Sequence, residues 1–416
     1  MNIVIMGASF DTGNLGVSAL GYSILAGIAR IYPDAKITML CFTKGWRTEY
    51  VIIDGRVIEL ETYGSFYSKR FLRPDNLWNM TFCSFFGGLY NKCVKNIKNA
   101  DFVLDITGGD SFTDMYGAKR FKATLLRKKI VLRMKTPLIL LPQTYGPFKS
   151  IYARKEAKRI MEKASCIWTR DRLSVEVIKN LNIGSEVLEK IHIGADLAFQ
   201  LPAIKPQNSH LVQCLEGKNK KNNIGINING LLYNRSKNYK DFKIKIHYEE
   251  IMDEIIDWFL SNTAVNIYLI SHVLGNEDDE TSDSSACYET YQKVKASDRN
   301  RVKLVDVNYN QNEVKWVIAQ LNWFCGARMH STIASISSKV PTASLSYSDK
   351  AKGVFEICGA DKCVIDLRIY EENKNVMKLV IDSYRNREKT KRYLEKIIPD
   401  FLDKSKDQIE RVLRKS

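Results

Sequence analysis

Short apolar runs alternate with stretches of helical periodicity along most of the chain. Asn2 to Met6 reads as a buried strand leading into a glycine-bearing loop, Gly7 to Gly16. Leu20, Ile24, Ile28 and Ile31 then recur at helical spacing, and Ile37 to Phe42 returns as a strand. The same strand–loop–helix unit is repeated. Ala100 to Asp105, Leu138 to Leu141 and Cys166 to Thr169 read as further strands, with helices over Lys119–Lys135, Ile151–Ala164 and Val175–Leu181. A second series runs from Ile224 to Ile228 through strands at Val265–Ile270, Val302–Val305, Trp323–Cys325 and Thr342–Ser346, separated by helical segments.

Repeated strand–loop–helix units predict parallel sheets with helices on both faces. The fold class expected is therefore α/β, with two Rossmann-like doubly wound domains facing a cleft and a C-terminal helical extension. Residues 1–203 form the first domain, 204–223 a polar, Lys/Asn-rich linker, 224–375 the second domain, and 376–416 the extension. In such sheets ligands gather at the carboxyl ends of the strands, so the loops there are where chemistry is sought.

A length of 416 residues suits two such cores, and 45% apolar with 26% charged residues is ordinary for a folded chain. Nine scattered cysteines without a CxxC argue against a disulfide framework or a zinc ribbon. No apolar run approaches the ~20 residues of a spanning helix, and no basic leader precedes the first strand, so the expected location is the cytoplasm. The net charge of +16 shifts the picture towards anionic partners. Eight basic residues and no acidic one lie between Lys119 and Lys135. They read either as a solvated helix face or as a peripheral contact with an anionic membrane surface, with Lys128, Lys129 and Arg133 on it. Aromatic residues do not interleave with Lys/Arg as in a nucleic-acid module, so nucleic acid is not an expected partner.

Several loops carry candidate chemistry. Gly7 with Gly13-Asn14-Leu15-Gly16 resembles an anion cradle at a helix N-terminus, or else a tight turn that needs its glycines. Gly108-Gly109-Asp110-Ser111 and Gln143-Thr144-Tyr145-Gly146-Pro147 follow strands, and Gly109, Ser111 and Gln143 are candidates to hold sugar hydroxyls. Asp110 reads as a general base or as the N-cap of the next helix. Arg170 reads as an anion clamp or as half of an ion pair with Asp171. His272 stands before the acidic run Glu277-Asp278-Asp279-Glu280, but no second histidine has ligand spacing and no metal is expected. The densest constellation is Gly326-Ala327-Arg328-Met329-His330-Ser331-Thr332, with a permanent cation and a neutral-range titrating group at the start of a helix.

In this order and spacing the motifs resemble the polysaccharide pyruvyl transferase family, over about Met1 to Ile357. The carriers are Gly13-Asn14-Leu15-Gly16, Gly108-Gly109-Asp110-Ser111-Phe112, Pro142-Gln143-Thr144-Tyr145-Gly146-Pro147, Thr169-Arg170-Asp171-x-x-Ser174, Gly194-Ala195-Asp196-Leu197-Ala198-Phe199, Ser271-His272 and Arg328-Met329-His330. Val17 stands where the family's Asn-x-Gly-Asp pattern has an acidic residue. The resemblance implies a GT-B-like architecture, with the first domain on the acceptor side and the second on the donor side. It implies phosphoenolpyruvate as donor, a sugar or lipid-linked oligosaccharide as acceptor, and no cofactor or metal. Arg328, Met329 and His330 would engage the donor, His330 as acid–base and Asp110 toward the acceptor. Arg170 and Arg235 are both candidates for a further donor arginine, and His272, Gly13 and Asn14 for substrate contacts. The alternative enzyme is a GT-B glycosyltransferase using a nucleotide sugar.

Overall fold

The apolar runs become the strands of two sheets, in a computed structural model that describes residues 1–207, 210–217, 222–234, 242–275 and 281–414. In chain order the first half gives β1 (Asn2–Met6), α1 (Leu15–Ile31), β2 (Lys36–Cys41), β3 (Trp46–Ile53), β4 (Arg56–Gly64), α2 (Leu77–Phe85) and α3 (Lys92–Lys98). These are followed by β5 (Phe102–Asp105), α4 (Ala118–Met134), β6 (Leu138–Gln143), α5 (Ile151–Lys163), β7 (Cys166–Thr169), α6 (Arg172–Lys179), α7 (Ser185–Leu188) and β8 (Ile191–Ile193). The sheet order is β3-β4-β2-β1-β5-β6-β7-β8. All pairs are parallel except the β3–β4 hairpin at one edge.

The second half gives α8 (His210–Glu216), β9 (Asn223–Asn227), α9 (Gly230–Tyr233), α10 (Tyr248–Asn262), β10 (Asn266–Leu269), α11 (Asp283–Lys293) and β11 (Val302–Leu304). Then come α12 (Gln311–Ala319), β12 (Trp323–Gly326), α13 (Met329–Ser337), β13 (Thr342–Ser346), α14 (Asp349–Cys358), β14 (Val364–Asp366), α15 (Asn373–Arg385), α16 (Arg387–Lys406) and α17 (Gln408–Arg414). This sheet is ordered β11-β10-β9-β12-β13-β14, with every pair parallel. That is the 3-2-1-4-5-6 order of a Rossmann sheet, which reverses direction between β9 and β12. The span expected as a linker holds α8, whose Leu215 is buried in an apolar cluster with Tyr268, Ile270 and Val317.

The chain divides into two compact units. The first comprises Met1–Thr12, Leu20–Leu197 and Lys404–Ser416; the second comprises Gly13–Ala19 and Ala198–Asp403. In the first, β1 and β5 to β7 are buried on both faces, which is why they read as continuous apolar runs. Helix α17 completes this unit. Gln408 accepts from the Ala195 amide at 2.6 Å and donates to the Ala195 carbonyl at 2.8 Å, and a Cβ on Gly27 would meet Ile409 at 2.7 Å. In the second unit Val376 and Val380 of α15 join the core, and Tyr384 packs on Phe259 and Trp323. All nine cysteines are unbridged and eight are buried. Among the described residues no helix is long and apolar enough to cross a membrane.

The basic helix differs from its expected role. Lys128 is fully buried and paired with Asp105 at 2.9 Å, and it also donates to Thr107 Oγ1 at 2.6 Å. Lys129 pairs with Glu156 at 2.6 Å, and Arg133 donates to Ser84 Oγ at 2.6 Å. Lys128, Lys129 and Arg133 therefore tie α4 to its own unit. It does not present a continuous cationic face.

Candidate functional site

The second unit places its richest polar cluster at the switch point of its sheet, beyond the carboxyl ends of β9 and β12. Asn227, the last residue of β9, is fully buried. Its Oδ1 accepts from the Arg328 amide at 3.0 Å and from Ser331 Oγ at 3.2 Å. Its Nδ2 donates to the Ile270 carbonyl at 2.9 Å and to Asp283 Oδ2 at 3.2 Å. One amide side chain thus fixes the loops after three neighbouring strands.

Asp283 is the electrostatic hub. It opens α11, where a carboxylate is favoured by the helix dipole, and its side chain is fully buried. It accepts from the backbone amides of Gly230 at 3.0 Å and of His272 and Val273 at 3.1 Å each. Arg328 closes on it through Nη2 at 2.7 Å and Nε at 3.0 Å, and Nη2 also donates to the Thr281 carbonyl at 2.9 Å. Burial disfavours the guanidinium cation, but Asp283 outweighs that effect and the Arg328 pKa is raised. The arginine stays charged, with its side chain 15% exposed. Because the pair is neutral overall, Arg328 acts as an oriented donor rather than as a free positive charge.

Arg328 caps α13, with Met329 and His330 in the first turn, all three partly exposed. The His330 ring lies against the start of α1. A Cβ on Gly16 would stand 2.4 Å from its Nδ1 and 2.9 Å from its own Cβ, so a glycine is required there. The segment around Gly16 is pinned to the same cluster. The Leu15 amide donates to the His272 carbonyl at 3.0 Å, the Leu274 amide donates to the Gly13 carbonyl at 2.6 Å, and Asn14 bridges Val273. Asn14 Oδ1 accepts from the Gly16 amide at 3.0 Å, and Gly13 has φ +66 with no room for a Cβ beneath the Leu274 carbonyl. His272 is buried, and its pKa is pushed down to about 3, first by desolvation and then by His330 and Arg328. It is neutral at physiological pH. The acidic run beside it, 277–280, and the candidate Arg235 lie outside the described residues.

Gly13, Asn14, His272, Arg328, Met329 and His330 are thus brought together in the second unit, joined by Gly16 and Ser331 of the same motifs and by Asn227 and Asp283, which the sequence reading left out. The other candidates form a group in the first unit. Arg170 is fully buried and its partner is Asp196, at 2.5 Å, with Nε on Thr144 Oγ1 at 2.9 Å. The expected pairing with Asp171 does not form, because Asp171 caps α6 by accepting from the Ser174 amide at 2.6 Å and also takes the Thr144 hydroxyl at 2.8 Å. Gly109 has φ +83 and leaves room for the Arg170 guanidinium, which a Cβ would meet at 2.9 Å. Gln143 is fully buried and donates to the Asp105 and Leu141 carbonyls. Ser111 accepts from Arg120 at 2.7 Å. Asp110 is partly exposed, with the Tyr116 hydroxyl donating to it at 2.8 Å. It does not cap the following helix, since the residue before Ala118 is Gly117.

The sheet order and the switch-point cluster define a two-unit Rossmann-type protein with a dense polar cluster at the strand carboxyl ends of its second unit. The whole chain superposes on solved GT-B-like folds. Against HepE of Anabaena, in a complex with UDP and glucose, the TM-score is 0.58 at 13% identity, with 100% of both chains covered. Against the UDP-GlcNAc 2-epimerase of Neisseria meningitidis, bound to UDP-GlcNAc, it is 0.55 at 10% identity, again with 100% of both chains covered. At those identities the likeness is one of fold. The amylovoran biosynthesis protein AmsJ of Erwinia amylovora is 20% identical over 293 residues, 69% of this chain and 67% of that protein. The sequence pattern of the polysaccharide pyruvyl transferases matches residues 14–349. The chain belongs to the polysaccharide pyruvyl transferase family.

Proposed function

We propose that the protein transfers pyruvate from phosphoenolpyruvate to a sugar of a cell-surface polysaccharide or its lipid-linked precursor, forming a pyruvate ketal and releasing phosphate. The observation that carries this reading is the pairing of Arg328 with His330 on one turn at the switch point, the first held flat by Asp283 and the second backed by Gly16. Family membership supports the transfer, and the likeness to AmsJ supports polysaccharide assembly as its setting.

In this reading the donor anion lies at the N-terminus of α13. Arg328 presents the guanidinium edge not used by Asp283 to the donor's carboxylate or phosphate, and the first-turn amides supply further donors. His330, protonated, gives its proton to the methylene carbon, which becomes the methyl group. C2 then takes up an acceptor hydroxyl, whose proton returns to the imidazole. The C2–O bond to phosphate breaks, a second hydroxyl closes the ketal, and its proton leaves with the phosphate. Neutral His272 orients the loop and adds no charge.

The test is phosphate release from phosphoenolpyruvate, with mass analysis of products, across a panel of lipid-linked oligosaccharides. Wild-type turnover is expected to fall by roughly 10²–10⁴ in His330→Ala, the range of a lost acid–base group. Arg328→Lys, which cannot span Asp283 and the donor together, should chiefly raise KM. Release of UDP from a UDP-sugar, with no phosphate from phosphoenolpyruvate, would replace this reading with glycosyl transfer.

A further inference from the structure

Helix α2 is apolar on its exposed side as well as its buried one, its polar Asn79, Thr81 and Ser84 being half-buried or buried. Leu77, Met80 and Cys83 point into the first unit, yet Trp78, Phe82 and Phe85 on the other side are exposed. A helix with apolar residues on two opposite sides is normally covered on both. Here the apolar surface also extends into the flanking loops, where Leu72 is 88%, Leu89 74% and Tyr90 80% exposed. The rings form a connected cluster, with Phe82 6.0 Å from Phe71 and 5.2 Å from Phe86, centroid to centroid. Isolated exposed apolar residues need no explanation, but a connected aromatic patch marks a surface that meets something.

Its charge indicates the partner. Between Lys69 and Lys98 there are six basic residues and one acidic residue, Asp75, which is buried and paired with Arg73 at 2.7 Å. Lys69, Arg70, Lys92, Lys95 and Lys98 are exposed. Two cations from α4 rise over the rings themselves, Lys122 4.8 Å above Trp78 and Arg133 3.8 Å above Phe85. We infer that this face of α2 and its flanking loops docks on an anionic lipid surface, the aromatic rings entering the headgroup boundary and the surrounding cations meeting the lipid charges. Apolar insertion together with a polybasic rim is the two-signal arrangement that makes peripheral binding firm. A second copy of the chain fits the face poorly, because a two-fold contact would set these cations against their own duplicates. The inference does not depend on which donor the enzyme uses.

Sedimentation of the full-length protein with vesicles tests it, comparing pure phosphatidylcholine with phosphatidylcholine containing about 30% phosphatidylglycerol. The wild type is expected to partition onto the anionic vesicles and weakly onto the neutral ones. Phe82→Ser/Phe85→Ser, both at exposed positions, should lower the partition coefficient at least ~10-fold, with an unchanged melting temperature. Lys69→Gln/Lys95→Gln/Lys98→Gln should lower it and flatten its salt dependence. The inference fails if the wild type stays in the supernatant with anionic vesicles, or if the serine variant binds as well as the wild type. It fails equally if light scattering shows a wild-type dimer that the serine variant turns into a monomer, which would make the face a contact between copies.

Discussion

Gly16 offers the His330 ring nothing but hydrogen, and the clash of any larger residue reaches back to the His330 Cβ, so rotation of the ring cannot relieve it. Gly16→Ala is therefore expected to displace the imidazole while the helix itself tolerates or prefers alanine. Phosphate release should drop by at least ~10-fold, in line with the sensitivity of catalysis to ångström-scale misplacement, with little change in melting temperature. His272 makes a different prediction. Its folded pKa of about 3 lies below the ordinary value, so the unfolded chain takes up this proton as pH falls below ~6.5 while the folded chain does not. The stability this group contributes is complete above that range and is lost toward pH 3, at up to about 1.4 kcal/mol per pH unit. Urea midpoints between pH 7 and pH 4 should fall less steeply in His272→Gln, and parallel slopes would show that the ring is not held neutral. Arg328 and His330 were legible because one of only five histidines stands two residues from an arginine at a helix start. Asp283 and Asn227 were not. An aspartate after an acidic run reads as solvated surface, and Asn227 falls inside the strand expected from Ile224 to Ile228, where nothing marks its side chain out. Only the fold, by bringing three strand ends and a helix start together, makes them the centre of the site. Arg170 shows the same limit, since its partner Asp196 is distant in sequence and local reading favoured Asp171.

Among the elements, the buried parallel strands were the easiest to read, being short apolar runs between glycine-bearing loops. Residues 43–99 gave no clear pattern, and the structure explains why. The β3–β4 hairpin is an edge ribbon whose residues are mostly half-buried or exposed, so alternation is blurred. Helix α2, apolar on both faces, lacks the contrast that periodicity detects. Helix α4 is legible as a helix, but composition does not show that Lys128, counted among its surface cations, points inward to Asp105. Helix α12 carries a similar concealed cost. Lys315 is buried, with the Phe199 carbonyl at 3.3 Å as an acceptor, and burial lowers its pKa to about 7. The unfolded chain holds that proton up to ~10.4, so the cost is complete below pH 7 and disappears as pH rises through that interval. Lys315→Met keeps the volume and removes the penalty, and should raise stability at pH 7 by about 2 kcal/mol in urea unfolding. A loss instead would show that the Phe199 hydrogen bond outweighs desolvation.

For the whole molecule, the reading of two Rossmann-type halves holds, and the family's motifs fall at strand ends in both of them. The order of chain in the two units is less simple than the order of motifs. Residues 13–19 belong to the second unit and the last thirteen to the first. Stopping the chain after Asp403 removes the buried Ile409, Val412 and Leu413 and uncaps the Ala195 backbone. At roughly 1.5–3 kcal/mol for each buried side chain, the truncated protein should melt many degrees lower, with the loss in the transition of the first unit. Denaturant unfolding followed by hydrogen exchange would locate it.

That interleaving governs how the protein is born. On the ribosome the segment that will brace His330 emerges more than three hundred residues before the histidine itself, and helix α17, which completes the first unit, is made only after the second unit. The first unit cannot be completed until residues 404–416 have emerged, after the whole of the second, and its dependence on chaperones should exceed that of a protein whose halves follow one another in line.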